Sequence, residues 1–154
     1  MKTNSGKKGE GMPVVRNPQF NFKEGFCWSD INTTYLKCRL KGKSVNDVKS
    51  MSLYGLLDKV PEFYIVSLIN SSFISFYVDC FVNNTQTFQI NDARQLPIIV
   101  PDTNQLEGIK VLFDTAVEIK HAVFSNIISE KVAQEKLNSI QIELDKLVSQ
   151  IYSI

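Results

Sequence analysis

Polar and apolar positions divide the chain into three stretches of different period. Residues Met1 to Met12 are polar and rich in Gly and Lys, with no apolar periodicity. They read as disordered or vector-derived sequence, or as a join partway into a longer polypeptide, with order beginning near Pro13. From Val14 to about Leu57 the pattern is that of short strands. Phe20, Phe22, Phe26 and Trp28 fall at even spacing, the period of a half-buried strand. Thr33, Thr34, Tyr35, Leu36, Cys38 and Leu40 form a second β-rich run. Lys41 to Ser44 reads as a turn, and Met51 to Tyr54 as a third strand.

Pro61 opens a helix over the apolar run Glu62 to Asn70, because its missing N–H is no loss at a helix start. Phe73 to Val82 is apolar again and fits either a helix or a strand. Asn83 to Thr87 interrupts it with polar side chains, Asn91 to Gln95 reads as a turn, and Leu96 to Pro101 is extended. Beyond a cap at Asp102 or Thr103 the period becomes helical. Ile109, Leu112, Phe113, Ala116, Ile119, Val123 and Ile127 form one stripe. Val132, Leu137, Ile140, Leu144, Leu147, Val148 and Ile151 form a second. Each helix is about 30 Å long at 1.5 Å per residue. The two fold back as an antiparallel hairpin or continue as one broken helix. The expected fold class is α+β: a small mixed β-rich domain over 13–101, followed by C-terminal amphipathic helices over 102–154.

Composition narrows the chemistry more than the fold. With 21% charged residues and a net charge of +1, the chain is no polybasic binder, although a local basic patch remains open to it. Its three cysteines, Cys27, Cys38 and Cys80, have no metal-ligand spacing and read as reduced thiols of a cytoplasmic protein. Apolar runs are broken too often for a membrane span. The sequence has no phosphate-binding glycine loop, nucleophile elbow or zinc-protease motif. His121 lies among Ile119, Ala122 and Val123 and reads as an ordinary helix residue rather than a general base. Asn17-Pro18-Gln19-Phe20 superficially matches the base-gripping loop of adenine methyltransferases. It lacks the second proline, and too little chain precedes it to build a cofactor-binding sheet, so it reads as a turn.

Four segments together resemble one family. Phe22-Lys23-Glu24-Gly25-Phe26-Cys27-Trp28-Ser29, Tyr64-Ile65-Val66-Ser67-Leu68-Ile69-Asn70-Ser71, Gln89 to Pro101 and Leu144 to Ile154 occur in the order found in the C-terminal target-recognition domain of TaqI-like and type IIG restriction–modification adenine methyltransferases. Ser153 replaces the glycine usual in that ending, and the stretch between Trp28 and Pro61 is short for a recognition region. Type I specificity subunits share the architecture of a recognition domain followed by a long helix. The resemblance implies a non-catalytic reader of double-stranded DNA. It works for a methyltransferase domain supplied in cis or in trans, and type IIG parents also cleave DNA. S-adenosylmethionine, and magnesium where the parent cleaves, would belong to that parent enzyme and not to this chain. The alternative class is a helical/β module for protein interaction or dimerisation, or half of a type I specificity subunit.

Residues suited to DNA fall in two groups. Lys37, Arg39 and Lys41 alternate, so a strand would place them on one face opposite Leu36, Cys38 and Leu40, with Lys43 just beyond. Asn83, Asn84, Thr85 and Gln86 offer amides and hydroxyls in a loop, the groups that pair with base edges. Arg94 either meets phosphate or ties its own loop to the domain. Trp28 reads as core rather than as a stacking platform. Each of these positions also has a plain reading as a solvated strand face or polar turn.

Overall fold

A computed structural model describes residues 2–3, 14–15, 17–32, 35–45, 50–55 and 60–154. Pro13, Thr33, Thr34 and Leu57, and all of the first twelve residues except 2–3, lie outside the described residues. Two short strands, β1 (Lys2–Thr3) and β2 (Val14–Val15), pair in parallel. The main sheet has three antiparallel strands, β3 (Gly25–Ser29), β4 (Cys38–Lys41) and β5 (Ser50–Leu53), with β3 in the middle. Cys38 stands opposite Trp28 and Lys41 opposite Gly25, while Met51 faces Trp28 from the other side.

The even spacing of Phe20, Phe22, Phe26 and Trp28 spans two structures rather than one strand. Pro18–Phe20 is a 3-10 turn, and Phe22 has φ 60 and is largely exposed. Only Phe26 and Trp28 share the buried strand face. Gly25 starts the strand because the chain passes too close for a side chain: a Cβ there would sit 2.3 Å from the Leu53 carbonyl oxygen.

Helix α1 (Glu62–Ile69) follows Pro61, and α2 (Ser72–Tyr77) starts after Ser71, whose hydroxyl accepts from the Ile74 N–H. Phe73 to Val82 is thus helical, ending in a π-turn over Val78–Val82. A short α3 (Ile90–Ala93) occupies the predicted turn, and 96–101 is extended. Helices α4 (Thr103–Phe124) and α5 (Glu130–Tyr152) carry the two apolar stripes, except Ile127, which falls in the joint after α4. Asp102 caps α4 through a capping box with Gln105, and Ser129 caps α5. The joint is short, and a Cβ on Gly108 would lie 3.3 Å from Leu147, so the start of α4 meets the end of α5 in an antiparallel hairpin.

The core is one cluster joining β3, α1, α2 and the proximal ends of α4 and α5. Phe26, Trp28, Tyr64, Leu68, Ile74, Ile109 and Val148 lie within it. The distal half of the hairpin extends past it, leaving Phe124 80% and Ile127 75% exposed. Among the described residues no single helix is long and apolar enough to cross a membrane; α1 and 72–82 reach that length only together, bent by 60°.

Polar side chains fasten these elements. The Trp28 indole N–H donates to the Phe88 carbonyl at 2.9 Å. Asn70 clamps edge strand β4 on both sides of one residue, accepting from the Cys38 N–H and donating to its carbonyl, each at 2.8 Å. That occupies edge groups otherwise open to a foreign strand. The Tyr64 hydroxyl donates to the Ile99 carbonyl at 2.6 Å, and the Tyr152 hydroxyl to the Pro97 carbonyl. The extended 96–101 segment is therefore pinned from α1 and α5. Asp145 of α5 accepts from both the N–H and the hydroxyl of Ser72 at 2.8 Å, capping the first turn of α2 from a distant helix.

Candidate nucleic-acid interface

Strand β4 lies on the edge of the sheet, and the segment leading into it, 35–37, runs along the same border. The distal hairpin stands across from this border, and between them lies a groove of about 850 Å³. Its floor is apolar: Leu112, Phe113, Ala116 and Val117 from α4, with Leu137, Ile140 and Leu144 from α5. Its polar lining includes Lys37 and Arg39 on the sheet side and Lys120 and His121 on the α4 side. Asn138 and Gln141 add amides from α5. None of the described residues lining the groove is acidic. Lys37, Arg39, Lys120 and His121 are all exposed, and none makes an ion pair with a described residue.

A second recess of about 370 Å³ adjoins the first, with Tyr35, Leu36 and Ser72 lining both. Asn83, Asn84, Thr85 and Gln86 form part of its wall. The fold thereby brings Lys37 and Arg39 and the 83–86 loop to adjoining recesses that share Tyr35, although they are far apart in sequence. The surface runs from the 83–86 loop, across Tyr35, to Lys37 and Arg39, and on to Lys120 and His121.

Not every candidate is available on that surface. Lys41 is 8% exposed. Its ammonium donates to the carbonyls of Lys23 and Ser44 at 3.0 Å and of Gly42 at 3.3 Å, and it lies over the Tyr54 ring. The turn after β4 folds back and encloses the charge, so Lys41 is a structural cation and not a phosphate contact. Leu40, expected on the buried face, is 47% exposed. Asn83 is also committed internally. Its carbonyl oxygen accepts from the Thr85 N–H and hydroxyl, and its amide donates to the Thr87 carbonyl and the Asp92 carboxylate. Thr85 is held in the same turn. Asn84 and Gln86 remain exposed with side chains free to reach a ligand. Lys43 is exposed beside the turn, outside both recesses. Arg94 is exposed and donates to Asn91 in its own short helix, also away from both recesses.

Lys120 and His121 were not among the sequence candidates, because a charge on an amphipathic helix looks solvated whichever surface it faces. Their adjacency at the apolar stripe of α4 was the available signal. Burial pushes the Cys38 thiol up to about 12, with nearby Cys27 adding to the effect. Cys80, by contrast, is exposed. A thiol reagent at neutral pH is expected to label Cys80 quickly and leave Cys27 and Cys38 unlabelled until denaturant is added. Labelling of all three in the native protein would contradict the packing of β3 and β4.

The role of Lys41 carries its own test. Lys41→Ala leaves three carbonyls without their charged donor. It is expected to lower stability by about 1–3 kcal/mol, whereas Lys43→Ala should change it by less than about 0.5 kcal/mol. Chemical denaturation of both variants checks the contrast.

No protein-family model matches this chain, and no curated protein matches it.

Proposed function

We propose that the chain is a DNA target-recognition module serving a separate adenine methyltransferase domain, of the kind its sequence resembles in TaqI-like and type IIG enzymes. The observation that carries this reading is the acid-free groove that gathers Lys37, Arg39, Lys120 and His121, adjoining a recess that presents the exposed amides of Asn84 and Gln86 with Asp79 as its one described carboxylate. Cations set the register on phosphate, and amides pair with base edges; a specific reader needs both within one footprint. The family-like segments support the reading in a different way. Trp28, Tyr64, Asn70, Asp145 and Tyr152 are joints of the scaffold, so a shared frame can hold a reading surface that differs from one site to another. In this reading the methyl donor and the chemistry, including any DNA cleavage, belong to the partner domain.

A titration with a duplex of defined length over a range of salt tests the proposal. Binding should weaken as salt rises, because phosphate neutralisation releases counterions. The double change Lys37→Ala with Arg39→Ala should reduce the log–log salt slope by about 2. Asn84→Ala should leave the slope alone and cost about 1–3 kcal/mol only on the preferred sequence. Unchanged binding in the double variant would place the DNA elsewhere on this chain. The exposed apolar end of the hairpin favours a second reading, a protein-interaction module, in which DNA affinity would be absent at every salt concentration.

A further inference from the structure

The groove beside β4 has two properties that phosphate binding does not use. Its floor is apolar, and the distal part of that floor, Ala116, Val117, Leu137 and Ile140, lies outside the cluster that packs with α1 and α2. In the proximal half, Ile109 and Val148 are fully enclosed. In the distal half, Ala116 and Leu137 face the groove and Phe124 stands at its edge, 80% exposed. A duplex presents a polar, charged backbone and gains little from such a floor. Above the floor, the basic side chains are Lys37, Arg39, Lys120 and His121, with no described carboxylate among the lining residues.

From this charge pattern we infer that the groove docks an amphipathic helix of a partner polypeptide, one with an apolar ridge and acidic flanks. A helix laid into an apolar groove is read through side chains at i, i+3/i+4 and i+7. Here it would complete a small bundle with α4 and α5, its leucine-type ridge on Ala116 and Leu137. Carboxylates along its sides would meet the cations of the two walls. Because Lys37 and Arg39 also belong to the proposed DNA surface, the acidic helix and the duplex compete for them. Occupation of the groove thus switches the reader off without touching Asn84 or Gln86. The docking itself does not depend on the DNA reading; only the competition does.

The probe is a fluorescent synthetic peptide of about 18 residues, about 27 Å as a helix, with Leu at i, i+3/i+4 and i+7 and Glu between them. Two control peptides carry Lys for every Glu, or the same residues with the Leu positions scrambled. Anisotropy against the full chain, without DNA, should show saturable binding of the acidic amphipathic peptide. Both controls should bind at least about tenfold more weakly, a difference of about 1.4 kcal/mol. Ala116→Glu, which puts a carboxylate into the floor, and the Lys37→Glu/Arg39→Glu pair should each weaken the peptide by about tenfold or more. Circular dichroism melting establishes that each variant is folded. Equal binding of the scrambled peptide or of the lysine peptide overturns the inference, as does failure of the acidic peptide to bind the wild-type chain. Competition is a separate arm: added peptide should displace a bound duplex from the wild type and fail to do so from Ala116→Glu. Peptide binding with no DNA affinity would sink the reader and leave the docking site standing; DNA affinity with no peptide binding would do the reverse.

Discussion

Truncating Trp28 to alanine is expected to destabilise the fold by about 3–5 kcal/mol, a large share of the about 5–15 kcal/mol that holds a domain together. Trp28 is 2% exposed at the centre of β3. Its ring lies 5.7 Å from that of Phe88 and 6.2 Å from that of Phe26. Removing it opens a cavity that the sheet and α1 cannot both collapse into, because Asn70 fixes their spacing at Cys38. It also strands the Phe88 carbonyl, which loses the indole N–H. Phe81→Ala is the matched control, since Phe81 is 72% exposed and its loss should cost less than about 0.5 kcal/mol. Equilibrium denaturation of both variants measures the difference. A Trp28→Ala protein as stable as the parent would mean that the core is not organised around β3.

The second large effect is alkaline. Burial raises the pKa of Tyr64 above the ordinary phenol value, with neighbouring Tyr152 adding to the shift, and burial raises Tyr152 as well. The neutral phenol is the form that donates to the Ile99 and Pro97 carbonyls. With folded values above the unfolded one, the stabilisation is fully present below about pH 10 and is lost as pH rises through the raised folded values. Tyr64, fully buried, should alone give a slope of up to about 1.4 kcal/mol per pH unit in that range. Half-buried Tyr152 gives less, and Cys38 acts in the same direction. Tyr64→Phe with Tyr152→Phe should cost about 2 kcal/mol at neutral pH, about 1 for each lost hydrogen bond. The double variant should then lose most of its sensitivity above about pH 10. Parallel alkaline limbs in the two proteins would show that the 96–101 segment is not held by these hydroxyls.

The helical third was legible because a long amphipathic period and a side-chain cap are local signals. The apolar stripe from Ile109 and the capping residue Asp102 both lie where the pattern puts them. The β region was less legible. Even spacing from Phe20 to Trp28 imitates a strand, yet the φ of 60 at Phe22 turns the chain before β3 begins. Lys41 shows the limit for the candidate site. Alternation identifies which face a lysine occupies, but the carbonyls that enclose it come from a turn whose path the sequence does not display. Asn83 was closer to reach, because Asn followed two residues later by Thr is a pattern that closes on itself. The union of Lys37 and Arg39 with Lys120 and His121 depends on how far the hairpin extends past the sheet. That is a tertiary fact, and no local pattern carries it.

Selection from a random-sequence duplex pool at low salt tests the central claim most directly. The purified chain is incubated with the pool, and the retained DNA is sequenced. Enrichment of a motif of a few base pairs, lost in the Lys37→Ala/Arg39→Ala variant and altered in Asn84→Ala, is the predicted result. No retained DNA, or retained DNA without a common motif, would contradict the reading of this surface as a sequence-specific DNA reader.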